Sequence, residues 1–314
     1  MSLDDIVAYF DNLSQKIKDK VREWENGSNS FQAGDGLEDF IDSIQASPLY
    51  GLGFNDGYLN TLTSGMMLGK FFLRSMATGR GKTRLGIMDL LKVSANEMHD
   101  VRNAKWFANP APQPSLFIST ELEQEEIDLI ILSAVTKLQP DVIRSGKYSS
   151  EEKERLNRGI KALKNSPLHF VELPEFSIAD VTNIIDNYVL NYDCNYVVFD
   201  YLQMCPKLAR TTRSAFDDVN LRDDQILLEL ATELKNIANR RHIYIMSATQ
   251  LNGGHASDDY HVSKTEGALR GAKSIADKID FGCIVENITS KDLKNLSELI
   301  EDLEVNPQHL TPTK

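Results

Sequence analysis

In the run FFLRSMATGRGKTRLGIMDLL, residues 71–91, an apolar stretch leads into a glycine-containing turn. Gly81, Lys82 and Thr83 follow, and then an amphipathic helical pattern. Strand, tight turn and helix in that order suit a phosphate-binding loop. Backbone N–H groups of the turn and of the helix start point at an anion. Lys82 would place a cation on the outer phosphates of a nucleoside triphosphate, and the Thr83 hydroxyl would complete a magnesium shell. The loop is expected over residues 77–83. Its nucleotide-binding set is Ala77, Thr78, Gly79 and Arg80, then Gly81, Lys82, Thr83 and Arg84. The G-x-x-x-x-G-K-T spacing wants glycine at position 76, and this chain has Met76. A bare GKT is not rare, so the flanking strand and helix carry the reading.

Three further strand ends bear polar groups. NYVVFDYLQM is an apolar strand ending in Asp200. Ligands of α/β sheets sit at the carboxyl ends of strands, so Asp200 would face the loop and hold magnesium directly or through water. A strand-ending aspartate is otherwise a turn residue or a helix cap. In LFISTELEQEEI, Glu121 follows a strand that ends at Ser119. It would polarise an attacking water, or it belongs with Glu123, Glu125 and Glu126 to the acidic start of a helix. Spacing leaves these two even. In IYIMSATQLNGG, Gln250 closes a strand. It would sense the outer phosphate and pass its state to the loop that follows, or it is an incidental surface amide.

The elements that must position these groups alternate. Strands are expected at 71–74, 115–119, 168–171, 196–200, 243–247 and 281–286, and helices at 83–92, 123–136, 150–164, 178–190 and 223–239. Short apolar strands separated by longer helices predict an α/β fold: a mostly parallel twisted sheet with helices on both faces. Surface loops are expected at 100–114, 207–221 and 251–269, the second carrying Lys207, Arg210 and Arg213. Residues 1–47 read as an N-terminal helical arm and linker, ahead of one large domain over 48–314. In the arm, a helix over 3–25 is followed by the linker-like NGSNSFQAGDG and a short amphipathic helix at 37–44. The longer helix either frays or docks on a neighbouring subunit.

Composition bounds the rest. The 314 residues are 41% hydrophobic and carry a net charge of -12. A surface that coats DNA as a whole would be basic, so any nucleic-acid contact falls on local loops. No apolar run approaches the roughly 18–20 residues that span a bilayer. Cys194, Cys205 and Cys283 show no metal spacing and read as buried thiols of a reducing cytoplasm.

GKT, then S-T-E, D-Y-L-Q, T-Q-L-N and finally LRGAKSIADKIDFGCIVEN occur in this order from about residue 51 to 287. Together they resemble the ATPase domain of DnaB-type replicative helicases, most like the diverged versions carried by phages. The resemblance implies a RecA-like phosphate-loop fold that binds ATP with Mg2+. It implies a hexameric ring acting on single-stranded DNA in replication, with a loader or primase as a further partner. By position it makes Lys82, Glu121 and Gln250 catalytic, with Glu121 activating water and Gln250 sensing phosphate. It makes Thr83 and Asp200 the magnesium pair. Two basic loops would line the central channel: Lys207, Arg210 and Arg213 in one, and Lys264, Arg270, Gly271 and Lys273 in the other. The family continues into a strand whose Lys-x-Arg reaches a neighbour's ATP as an arginine finger, worth roughly 10³–10⁵ in rate. The sequence reaches TPTK after a helix expected at 290–303. A fragment, or substitution by another residue such as Arg80, are the two expectations. The alternatives to a ring helicase are a nucleotide-binding module without efficient turnover, or a RecA-like recombinase-type or clock-type ATPase.

Overall fold

The computed structural model describes residues 32–46, 49–216, 221–250, 273–286 and 294. The chain divides into two units, Met1–Leu49 and Tyr50–Lys314. In the first, helix α1 (Leu37–Ala46) covers the expected 37–44 helix. Its Leu37, Phe40 and Ile41 recur at helical spacing and are exposed. The helix expected at 3–25 lies outside the described residues.

The second unit runs α2 (Gly57–Thr63), β1 (Phe71–Met76), α3 (Lys82–Ser94), β2 (Glu97–Asp100), β3 (Lys105–Ala108) and β4 (Ser115–Ser119). It continues α4 (Gln124–Thr136), α5 (Pro140–Ser145), α6 (Ser150–Lys164), β5 (Leu168–Glu172), α7 (Ile178–Tyr192) and β6 (Tyr196–Asp200). It ends α8 (Pro206–Ala215), α9 (Asp223–Arg241), β7 (Tyr244–Gln250), a 3-10 helix (Lys273–Lys278) and β8 (Phe281–Val285). Six strands pair in the order β5-β4-β6-β7-β1-β8, all parallel.

Alternation along each strand assigns the faces, because successive side chains point to opposite sides. Phe71, Leu73, Val197, Phe199 and Ile245 join one apolar cluster with α7 and α9. Phe72, Phe117, Val198 and Met246 join another with α3 and α4. With both faces covered, the strands are almost continuously apolar, as buried parallel strands must be. Each large side chain so buried contributes roughly 1.5–3 kcal/mol relative to exposure.

Register aligns the strands' carboxyl ends. Met76 sits opposite Gln250, and Ser119 opposite Asp200. Every polar strand end noted above therefore reaches one edge of the sheet.

Two expected loops contain regular structure instead. The first part of the surface loop expected at 100–114 belongs to an antiparallel hairpin, in which β3 pairs with β2 just before the loop. Asp100 closes its turn, accepting from the Arg102 N–H at 2.9 Å and from Asn103 Nδ2. Trp106 anchors the hairpin, with the Arg158 guanidinium of α6 4.9 Å over its ring. The prolines that suggest a loop, Pro110, Pro112 and Pro114, fall after β3. The loop expected at 207–221 is largely the helix α8. Pro206 opens it, Cys205 Sγ accepts from the Leu208 N–H, and Leu208 and Thr212 are buried one turn apart. That apolar stripe is too short to stand out against three basic residues.

Candidate active site

The phosphate-loop candidate spans the gap between β1 and α3. Gly79 and Gly81 adopt φ of 74° and 93°, the left-handed region that favours glycine. A Cβ at either would meet nothing within 4 Å, so the space before the loop is open. Gly81 caps α3 without a side-chain hydrogen bond, so no cap side chain covers the helix's first N–H groups. Met76, where the common pattern has glycine, is the last residue of β1. It is buried, with no positive φ, so its backbone conformation does not require glycine. A buried ion pair, Arg74 Nη2 to Asp89 Oδ2 at 2.7 Å, ties β1 to α3 on either side of the loop. Asp89 Oδ1 also accepts from the Asn55 N–H at 2.8 Å.

Six side chains meet at this edge through four contacts. The Thr83 hydroxyl donates to Asp200 Oδ2 at 2.5 Å. Lys82 Nζ lies 4.0 Å from the centre of the Tyr201 ring, within cation–π range. The Tyr201 hydroxyl donates to Glu121 Oε1 at 2.9 Å. Gln250 Nε2 donates to the same Tyr201 oxygen at 2.9 Å. Lys82, Asp200, Tyr201 and Gln250 are buried and Glu121 is exposed. Burial pushes the Asp200 carboxyl up to about 6. The Thr83 hydrogen bond and the Lys82 charge oppose that rise, and Glu121 adds to it. In the loop, Ala77 is half-buried, and Thr78, Arg80 and Arg84 are exposed.

Residue types and spacing alone assign no role to Thr120, Tyr201 or Gln203. Thr120 binds the Asp200 carbonyl through both its N–H and its hydroxyl, each at 2.9 Å. Gln203 Nε2 donates to Thr120 Oγ1 at 2.7 Å. These contacts stitch the end of β4 to the end of β6. Their signal lies in the S-T-E and D-Y-L-Q strings, beside the acids that draw attention first.

The basic residues are not gathered in the same way. Lys207 pairs with Asp180 at 2.8 Å. Arg213 donates to the Leu221 carbonyl and approaches Asp223 at 3.6 Å. Arg210 is exposed on α8. Lys264, Arg270 and Gly271 lie outside the described residues, as do the loop expected at 251–269 and all but residue 294 of the helix expected at 290–303. The backbone of Lys273 begins the 3-10 helix. All three cysteines are free, Cys194 and Cys205 buried and Cys283 partly so. Among the described residues, no helix is long and apolar enough to cross a membrane.

Comparison with known proteins gives this geometry a context. The model of the DnaB-like helicase C terminal domain family matches residues 51–299. The SPbeta prophage-derived uncharacterized protein YorI of Bacillus subtilis is 32% identical over 307 residues, 96% of this chain and 60% of the relative. The replicative DNA helicase DnaB of Mycobacterium intracellulare is 27% identical over 140 residues, 45% of this chain and 23% of its own. The chain thus spans under two thirds of these relatives. Among solved structures, an isolated ATPase domain superposes with a TM-score of 0.64 at 16% identity, covering 82% of this chain and 84% of that one. A DnaB-like replicative helicase, described with its interactions with primase, gives 0.64 at 14% identity over 89% of this chain and 63% of that one. These likenesses show the RecA-like ATPase fold.

Proposed function

Because the chain belongs to the DnaB-like helicase C-terminal domain family, we propose that it is a ring-forming ATPase of the replicative helicase type, which hydrolyses ATP with Mg2+ while acting on single-stranded DNA in replication. The observation that carries this reading is the 2.5 Å contact between Thr83 and Asp200. It joins the start of the phosphate-loop helix to the end of a strand two places away in the sheet.

The residues fit the groups they would hold. Both oxygens of the Thr83–Asp200 pair are hard donors of the kind magnesium takes. The open space before Gly79 and Gly81 leaves room for phosphate beside the backbone N–H groups of the loop. Magnesium, when bound, neutralises charge on the outer phosphates. Thr83 and Asp200 would hold it. Lys82, released from the Tyr201 ring, would meet the outer phosphate with a charge-assisted contact. Glu121 would orient the attacking water and draw its proton. Gln250 would exchange its Tyr201 partner for a phosphate oxygen and so report its presence.

Family likeness supports a hexameric ring, and the primase interactions described for one structural neighbour support a primase as a partner; a loader is the other partner the reading allows. Lys207, Arg210, Arg213, Lys264, Arg270, Gly271 and Lys273 are the proposed DNA contacts. The cations among them would grip phosphate without reading sequence. For Lys207, binding DNA means leaving Asp180, and for Arg213 it means leaving Leu221.

The test is steady-state ATP hydrolysis with and without single-stranded DNA. The chain is expected to hydrolyse ATP faster with DNA, and Lys82→Ala to abolish turnover. Tight ATP binding with no turnover in either condition would contradict the reading.

A further inference from the structure

Tyr201 touches a catalytic candidate on each of three elements. Its hydroxyl reaches Glu121 beyond β4 and Gln250 at the end of β7, and its ring lies under Lys82 of α3. Its own N–H is fixed on Thr120 Oγ1 at 3.2 Å. The direction of the chain of hydrogen bonds follows from the groups. An ionised carboxylate only accepts, so the phenol gives its single proton to Glu121. The phenol oxygen then offers lone pairs to Gln250, which must present its amide N–H rather than its carbonyl. The order Gln250 to Tyr201 to Glu121 therefore has one polarity, and the middle member cannot reverse.

We propose that Tyr201 is a positioning residue that couples the phosphate-sensing glutamine to the water-orienting glutamate. While Gln250 holds the phenol oxygen, the hydroxyl is aimed at Glu121, and the carboxylate is tethered. When Gln250 turns to a phosphate oxygen, the phenol loses that donor and its hydroxyl swings with Glu121 towards the water. The ring acts separately. It gives Lys82 a resting place above an aromatic face, in a site where a cation is largely shielded from solvent. Tyr201 itself need not touch the reacting atoms. This inference rests on the ATP hydrolysis proposed above.

Two substitutions separate the hydroxyl from the ring. Tyr201→Phe keeps the ring and removes the hydroxyl, and Tyr201→Leu removes both. The experiment measures kcat and KM for ATP with single-stranded DNA in the parent, both Tyr201 variants, Gln250→Ala and the Y201F/Q250A double variant. Tyr201→Phe is expected to lower kcat on the order of 10- to 100-fold, the scale of a misplaced catalytic group. Its KM should stay within about twofold of the parent, because binding contacts are untouched. Tyr201→Leu should also raise KM. The double variant should be no slower than the slower single, since both changes cut one path. A merely structural tyrosine would not produce that non-additivity. Should Tyr201→Phe melt well below the parent, kcat and KM are compared at a temperature where circular dichroism shows both proteins fully folded, and the same kcat loss at constant KM is expected. Parental kcat in Tyr201→Phe, or independent losses that multiply in the double variant, would overturn the inference while leaving ATP hydrolysis standing. A parent that binds ATP without hydrolysing it would remove both.

Discussion

Thr83 and Asp200 lie 117 positions apart in the chain, yet their side chains meet at 2.5 Å. The contact is short because Asp200 is buried and Thr83 is the donor that answers its charge. Removing the hydroxyl without changing shape isolates it. Thr83→Val is expected to lose most of the magnesium-dependent gain in nucleotide affinity while leaving metal-free affinity unchanged. Titration of a fluorescent ATP analogue with and without Mg2+ reads this directly, and an undiminished magnesium effect would show that Thr83 plays no such part. Among single residues, the polar groups at the ends of apolar strands are legible in the sequence as candidates, because several of them follow a phosphate-loop pattern in one alternating α/β order, although each alone also suits a turn or a helix cap. Tyr201 is not. An aromatic beside an apolar strand looks like core, and a phenol's partners come from elements that only the sheet register brings together. Glu121 is ambiguous for a related reason: three further glutamates follow it closely, and spacing does not separate a site acid from a helix-start acid.

Among the elements, α7 and α8 are joined by an ion pair. Asp180 stands in the capping box of α7, where Ser177 and Asp180 satisfy each other's backbone N–H groups. Its carboxylate also meets Lys207 of α8. The Lys207 contact first, and then the Ser177 hydrogen bonds, hold the Asp180 carboxyl down to about 2. Because the folded value lies below the ordinary one, the stabilisation is complete above the usual carboxylate range and is lost as pH falls from about 4 towards 2. Asp180→Asn is expected to lower stability at neutral pH by about 1 kcal/mol, the full shift being discounted because the pair is about one-third exposed and screened. Urea denaturation at neutral pH and near pH 3 checks this. The gap between parent and variant should shrink at the lower pH, and a constant gap would assign the loss to the cap alone. The same helix pair shows what periodicity misses. Strands such as Tyr196–Asp200 are legible because burial on two faces demands an unbroken apolar run. Helix α8 is not, since two buried positions, Leu208 and Thr212, suffice to seat it and one of them is polar. The β2–β3 hairpin escapes notice because four-residue strands on a surface carry little alternation. Its anchor, Trp106 against Arg158, is a contact between elements distant in sequence.

For the molecule as a whole, membership of the DnaB-like helicase C-terminal domain family and a net charge of -12 act together. A negative field repels nucleic acid at distance, so the proposed DNA contact depends on local cations at short range. Three of those cations lie on α8, and two of them are already paired within the chain. The proposed coupling of ATP to DNA therefore includes breaking internal contacts, which costs part of the binding energy. The sheet gives that coupling its frame: β4, β6, β7 and β1 bring Glu121, Asp200, Gln250 and the phosphate loop to one edge. The proposed function stands or falls on whether this edge hydrolyses ATP, with Glu121 acting on water rather than on nucleotide binding. Single-turnover hydrolysis by Glu121→Gln, with ATP and Mg2+ bound in advance, isolates that step. ATP affinity is expected to match the parent, and the hydrolysis rate to fall by about 10²-fold or more, the range for loss of a general base. Hydrolysis at the parental rate would contradict the role given to Glu121 and the mechanism built on it.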